Sequence, residues 1–288
     1  MIESSAGCSS ARHSRPLPAG ACDAHVHVFG PIERYPIAAH RPAERSYAPP
    51  ELGVDDYLRD PAHRGLERLV LVQPNAYGSD HRCLLDALRN LGRRARGVVV
   101  VPVSTGTGVL RSMHAAGVRG ARFHEFDAAT LDALPAFAGS LQDLGWHIEM
   151  YLPLQQIAHH APLLCNLPCP VVFDHFGGLR TDEVAGRRAF DSLVRLLVEG
   201  PGWLKLSAPY RATHADSSFD DLAPYVDALL RIAPHRLLWG SDWPHLRVAP
   251  LLPRADALLD VLGTWVKSQA QWDALLRDNP ARLYGFAR

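Results

Sequence analysis

The residues of this chain best suited to chemistry are histidines and carboxylates set at the ends of apolar runs. The segment ACDAHVHVFG (21–30) carries His25 and His27 two positions apart, bounded by Gly20 and by Gly30-Pro31. Such a run is expected to be a buried strand ending in a turn. Alternate side chains of a strand share a face, so Asp23, His25 and His27 are expected together, with Ala24, Val26 and Val28 opposite. Burying three polar groups costs free energy unless they find partners. A satisfied core pair is one reading of these histidines; a functional site is the other. FDHFGG (173–178) adds Asp174 and His175, and WGSDWPH (239–245) holds Asp242 between two tryptophans, with His245 following. A carboxylate in so dry a setting is expected to have a raised pKa, as a general base requires. Capping a turn is the structural alternative for Asp242.

These groups need elements to position them, and the chain supplies a rhythm. Apolar runs at 21–30, 67–75, 96–104, 118–126, 147–153, 170–178, 203–211 and 237–245 alternate with helical patterns, among them 79–94 (with Ser79 as cap), 130–144, 187–198, 219–232 and 270–284. Eight strands alternating with helices describe a (β/α)8 TIM barrel, an α/β fold. No Gly-x-Gly-x-x-Gly turn follows the first strand, which counts against a doubly wound sheet. The expected organisation is a disordered arm over 1–20 and one barrel over 21–288. In such barrels the site lies at the C-terminal ends of the strands. Reading off those ends adds Gln73 and Asn75, Arg122 and His124, Glu149 and Tyr151, and Lys205, Tyr210 and Arg211. The Gly177-Gly178 pair could bring backbone N–H groups to a substrate oxygen.

Composition narrows the class. The 288 residues carry 30 basic and 30 acidic side chains, so nothing favours nucleic acid or an anionic membrane as a partner. No apolar run approaches a membrane span, the first 20 residues lack a signal-peptide core, and five scattered cysteines read as reduced. A cytoplasmic enzyme acting on a small molecule is the expectation, with oligomeric state open. The long segment 31–65 reads as a binding loop or lid containing Tyr47 and a short helix at 54–60. The histidines at 13, 63, 81, 114, 159, 160, 214 and 235 are expected to face solvent.

HVH at strand 1, FDHFGG at strand 6, WGSDWPH at strand 8 and the terminal DNPARLYGF together resemble the amidohydrolase superfamily, in its amidohydrolase-related branch. Within that branch the likeness is to the 2-pyrone-4,6-dicarboxylate lactonases and the sugar-lactone hydrolases. The resemblance implies that His25, His27 and His175 surround a reacting carbonyl and that Asp242 activates water. It also implies that Arg122 and Arg211 grip a substrate carboxylate and that Tyr47 and Tyr151 contact substrate. Asn75 and His245 are further candidate substrate contacts at the rim. The lactonases carry a second carboxylate-binding arginine just beyond the match to Arg122, where this chain reads EFDAAT. Asp127 there is expected to repel a carboxylate, favouring a ring with fewer acid groups.

His25, His27 and Asp242, with His175 nearby, could also bind one divalent ion, zinc above others. Metal-dependent members of the superfamily supply a further ligand from strand 5. Here His147 lies roughly 13 Å below Tyr151, and Glu149 a layer too deep. The expectation is therefore a metal-independent lactone hydrolase. The alternatives are a zinc-dependent hydrolase, a non-oxidative decarboxylase of a small organic acid, and a catalytically silent sugar-acid binding protein.

Overall fold

The structure, a computed structural model, describes residues 15–39, 51–124, 126–182, 186–213, 218–246 and 254–287. Tyr47 lies outside these residues, as do His13 and His214. The strands are β1 (Cys22–Val26), β2 (Arg68–Val72), β3 (Ala95–Val99), β4 (Val118–Phe123), β5 (His147–Met150), β6 (Val171–Phe173), β7 (Gly202–Ser207) and β8 (Leu237–Gly240). Each pairs in parallel with the next in chain order. The helices are α1 (Val54–Arg59), α2 (Arg82–Leu91), α3 (Thr107–Ala115), α4 (Ala128–Gln142), α5 (Leu154–Leu164), α6 (Gly186–Val198), α7 (Ala223–Ile232), α8 (Ala255–Trp265), α9 (Gln269–Asp273) and α10 (Asn279–Tyr284). This is the (β/α)8 barrel the alternation implied. Among the described residues no helix is long and apolar enough to cross a membrane.

Strand alternation separates two apolar layers. Leu69 and Leu71 of β2 face outward into the layer shared with the helices, while Val70 and Val72 point into the barrel. The inner floor is built from Ala24, Val70, Val98, Val172 and Leu238, closed below by Trp203, Tyr284 and Phe286. The terminal DNPARLYGF motif is thus a plug. Asn279 donates its side-chain amide to the carbonyls of Pro234 (2.9 Å) and Leu237 (2.8 Å), tying α10 under β8.

Four local expectations are corrected. The β1–β2 register shifts between Asp23 and Val26, a bulge that breaks alternation. Asp23 therefore does not share the face of His25 and His27: its Oδ2 accepts from the Tyr57 hydroxyl (3.0 Å) and its Oδ1 from the Ser241 N–H (2.9 Å). His63 is buried rather than exposed, stacked on the Tyr57 ring at 3.8 Å and bonded through Nδ1 to the Tyr57 carbonyl. Ser79 does not cap α2, whose N-cap is His81 without a side-chain cap bond. Finally, packing starts before Ala21. Arg15 donates to the Val266 carbonyl and lies over Trp272, whose indole N–H donates to Pro16.

Candidate active site

The barrel closes where its reactive residues sit. Beyond β8 the backbone of Ser241 to Trp243 runs beside β1: Asp242 N–H donates to His25 O (3.0 Å) and His27 N–H to Trp243 O (2.8 Å). Asp242 adopts a left-handed φ of 62°, as do His245 (60°) and His175 (50°). Non-glycine residues in this region are held there by their surroundings, and they concentrate at functional sites. Here the turn aims the Asp242 side chain into the barrel mouth.

Three imidazoles converge on one oxygen of that carboxylate. The Nε2 atoms of His27, His25 and His175 lie 3.5, 3.6 and 3.7 Å from Asp242 Oδ1. Oδ2 is held from the other side by the Tyr210 hydroxyl at 2.7 Å and by Arg211 Nε at 3.4 Å. Burial pushes the Asp242 carboxyl up, but the facing His175, His25 and Arg211 outweigh it and hold the group well below the usual carboxylate range. The raised pKa expected from the two flanking tryptophans is thereby corrected, because the charge partners come from strands distant in sequence. Burial lowers His175 to about 4 against the opposing pull of Asp242 and Asp174. His25 is likewise held well below its ordinary value by burial and by the Lys205 charge.

Beneath the imidazoles lies a buried ionic layer whose working together the sequence did not reveal. Lys205 Nζ is 2.5 Å from Glu149 Oε2, 3.2 Å from Asp174 Oδ1 and 3.1 Å from His25 Nδ1. Arg122 donates through Nε and Nη2 to Asp174 Oδ2 at 3.0 and 2.8 Å. Arg122, expected to grip a substrate carboxylate, thus commits its Nε–Nη2 edge to Asp174, and its side chain is nearly fully buried. His175 Nδ1 is paired with Ser207 Oγ at 2.9 Å. The signals available in the sequence were a lysine inside the apolar run WLKLS and a glutamate inside HIEM; neither names its partner.

A cavity of ≈ 450 Å³ opens above this layer, lined by His124, Tyr151, Gln155, His175, Arg180 and Arg211 among others. The Tyr151 ring meets His175 edge-on at 5.0 Å. His245 Nδ1 lies 3.3 Å from the Tyr210 hydroxyl, at the Asp242 side of the mouth. Asn75 begins the single turn after β2 and lines neither this cavity nor the smaller one of ≈ 280 Å³ that touches Arg122 and His124. Asp127, expected to repel an acid group, instead caps α4 by accepting from Thr130 N–H at 2.7 Å and lines neither cavity. The Gly177 N–H donates to Asp174 O and is not offered to a ligand. Gly178 is needed for close packing, since a Cβ there would fall 2.2 Å from Leu152 O.

Two trios among the described residues could hold a metal ion, His25/Asp174/His175 and His25/His27/Asp242, with donor atoms within 4.8 Å of one another.

The chain matches the Amidohydrolase family over residues 22–286. It is a member of that family. The chain is 34% identical over 283 residues to the 4-sulfomuconolactone hydrolase of Rhizobium radiobacter, spanning 96% of this chain and 93% of that protein. It is also 34% identical to the 2-pyrone-4,6-dicarboxylate hydrolase of Comamonas testosteroni, spanning 93% of this amidohydrolase and 91% of that one. A solved structure from Pseudomonas putida, described as a 2-pyrone-4,6-dicarboxylic acid hydrolase, superposes with a TM-score of 0.80 at 28% identity, covering 94% of this chain and 100% of that one. A more distant amidohydrolase from Burkholderia multivorans, 20% identical with a TM-score of 0.74, contains bound zinc; 93% of this chain and 99% of that one superpose.

Proposed function

We propose that this amidohydrolase opens a small lactone by adding water to the ring carbonyl. The observation that carries the reading is the convergence of three imidazole Nε2 atoms on Asp242 Oδ1 while Oδ2 is held by Tyr210 and Arg211. A water seated against Oδ1 gives its proton to the ionised carboxylate as its oxygen bonds to the carbonyl carbon. An imidazole N–H facing the carbonyl oxygen stabilises the charge that develops there. The ring C–O bond then breaks, and Asp242 returns the proton to the departing oxygen. Atoms balance: one water is consumed and one hydroxy acid is released.

Arg211, paired with Asp242, and Arg180, paired with Asp182, line the cavity wall, and their remaining guanidinium N–H groups suit a substrate with a polar or anionic substituent. Asp127 no longer argues against a second acid group, and the named relatives act on a sulfonated lactone and a dicarboxylated pyrone. Tyr151 and His245 border the same space and are assigned to substrate contact.

The reading is metal-independent. The spacing of His25, His27 and Asp242 suits tetrahedral zinc, whose donors stand about 3.3 Å apart. The donor chemistry argues against an ion, because the Lys205 ammonium stands 3.1 Å from His25 Nδ1, the atom from which a zinc-bound histidine would donate. No step is routed through an ion.

Proton release from a panel of muconolactones, aldonolactones and pyrone carboxylates, measured before and after chelator treatment, tests both parts. Turnover of an anionic lactone that survives metal removal is expected. Failure on every lactone would overturn the assignment. Loss of activity on chelation, restored by zinc, would overturn its metal-free half.

A further inference from the structure

We propose that Lys205 fixes which nitrogen of His25 carries the proton, and so decides whether the barrel mouth donates protons or binds metal. The consequence for turnover rests on the lactone reading above; the proton pattern itself does not.

Lys205 is wholly buried and ion-paired with Glu149 and Asp174. An ammonium has only protons to offer, so the 3.1 Å bond to His25 makes Nδ1 an acceptor and leaves the ring proton on Nε2. An independent constraint acts on His27. Its Nδ1 lies 2.8 Å from the Val72 carbonyl, an acceptor only, so the His27 proton sits on Nδ1 and the Nε2 lone pair faces the barrel. The two Nε2 atoms are 3.3 Å apart. The assignments interlock: His25 Nε2–H points at the bare His27 Nε2, and it is the proton this pair can turn to an entering carbonyl oxygen. Reversing either ring would set a proton against the ammonium or a lone pair against a carbonyl.

A metal-bound histidine presents a lone pair inward and donates its outer N–H to a carboxylate or carbonyl. His27 already meets that description. His25 does not, and Lys205 is the reason, for Asp174 Oδ1 waits 3.3 Å from the same Nδ1. Without the ammonium, Nδ1–H would donate to Asp174 and Nε2 would turn its lone pair toward Asp242 and His27. Charge points the same way. Lys205 and Arg122 balance Glu149 and Asp174, so a dication above them would meet an ammonium with no spare anion beneath it. Lys205 is a positioning residue acting through His25.

The experiment compares the full-length protein with Lys205→Met, and with Lys205→Met/Glu149→Gln, in which no buried carboxylate is left unpaired if the single variant fails to fold. Nitrogen-15 NMR of labelled histidines reports the protonation of each ring nitrogen, and competition with a chromogenic indicator reports zinc affinity. The wild type is expected to show His25 with a bare Nδ1 and a protonated Nε2. A variant is expected to shift the proton to Nδ1, to bind zinc at least about tenfold more tightly, and to lose about 10²-fold in metal-free kcat with KM little changed. A wild type protonated on Nδ1, or folded variants with unaltered zinc affinity, would overturn the proposal. A wild type with the expected proton pattern that hydrolyses no lactone, paired with variants that gain zinc, would support it while sinking the catalytic assignment.

Discussion

The two oxygens of Asp242 have separate duties: Oδ1 faces the imidazoles, and Oδ2 is anchored by Tyr210 and Arg211. Asp242→Asn is expected to lower kcat by about 10²–10⁴-fold with the fold intact, measured by initial rates and circular dichroism. Tyr210→Phe removes one donor from Oδ2. A hydrogen bond to the charged form favours it, so its loss raises the carboxyl pKa and moves the acid limb of the rate profile to higher pH. Because a stronger base offsets the lost anchor, kcat above the shifted limb is expected to stay within about tenfold of wild type. An acid limb that stays in place would mean that the profile does not report Asp242. The residues of this site differ in how far the sequence betrays them. His25, His27, His175 and Asp242 stand in short motifs whose chemistry is local. Lys205, Glu149 and Tyr210 acquire meaning only through partners on other strands, which no spacing along the chain encodes.

At the scale of elements, the seam between β1 and β8 is the most demanding contact. A Cβ on Gly240 would fall 2.6 Å from His25 Cβ and 2.7 Å from its backbone nitrogen, atoms that cannot swing aside. Gly240→Ala is expected to cost about 1–3 kcal/mol of stability and to depress activity more than that loss explains, because it shifts His25 directly. Urea midpoints and rates measured in parallel check this; full activity with reduced stability would show that the seam can part without moving the imidazole. Behind the seam, Asp23 receives the Ser241 N–H and the Tyr57 hydroxyl. Tyr57→Phe leaves one buried acceptor short of a donor and is expected to cost about 1–3 kcal/mol in a urea titration. The centres of all eight strands were legible because apolar runs report burial. The β1 bulge was not, since one extra residue leaves composition unchanged while turning Asp23 to the other side. Ser79 failed as a cap for a related reason: α2 begins at Arg82, and what helix start is chosen depends on where the preceding turn places the chain.

For the whole molecule, the barrel buries its chemistry at the cost of acid tolerance. His175 is held to about 4 by burial, against an ordinary value near 6.5 that the unfolded chain restores. A lowered folded value means that the unfolded chain binds the proton first as pH falls. The stability this group contributes is complete above about pH 6.5 and drains away between there and about pH 4, by about 3 kcal/mol. His25, depressed in the same direction by burial and Lys205, adds to the loss with the same sign. Asp242 and Asp174, both held below the usual carboxylate range, contribute stability that disappears only at still lower pH. Urea midpoints of metal-stripped protein should therefore decline steadily from pH 6.5 to 4 and then steepen. In His175→Gln the first part of that decline should shrink by about 3 kcal/mol, because glutamine has no proton to gain. A wild-type midpoint that holds constant down to pH 4.5 would mean that the folded barrel carries its imidazoles charged, with Asp242 as their counter-ion rather than as a base facing neutral donors.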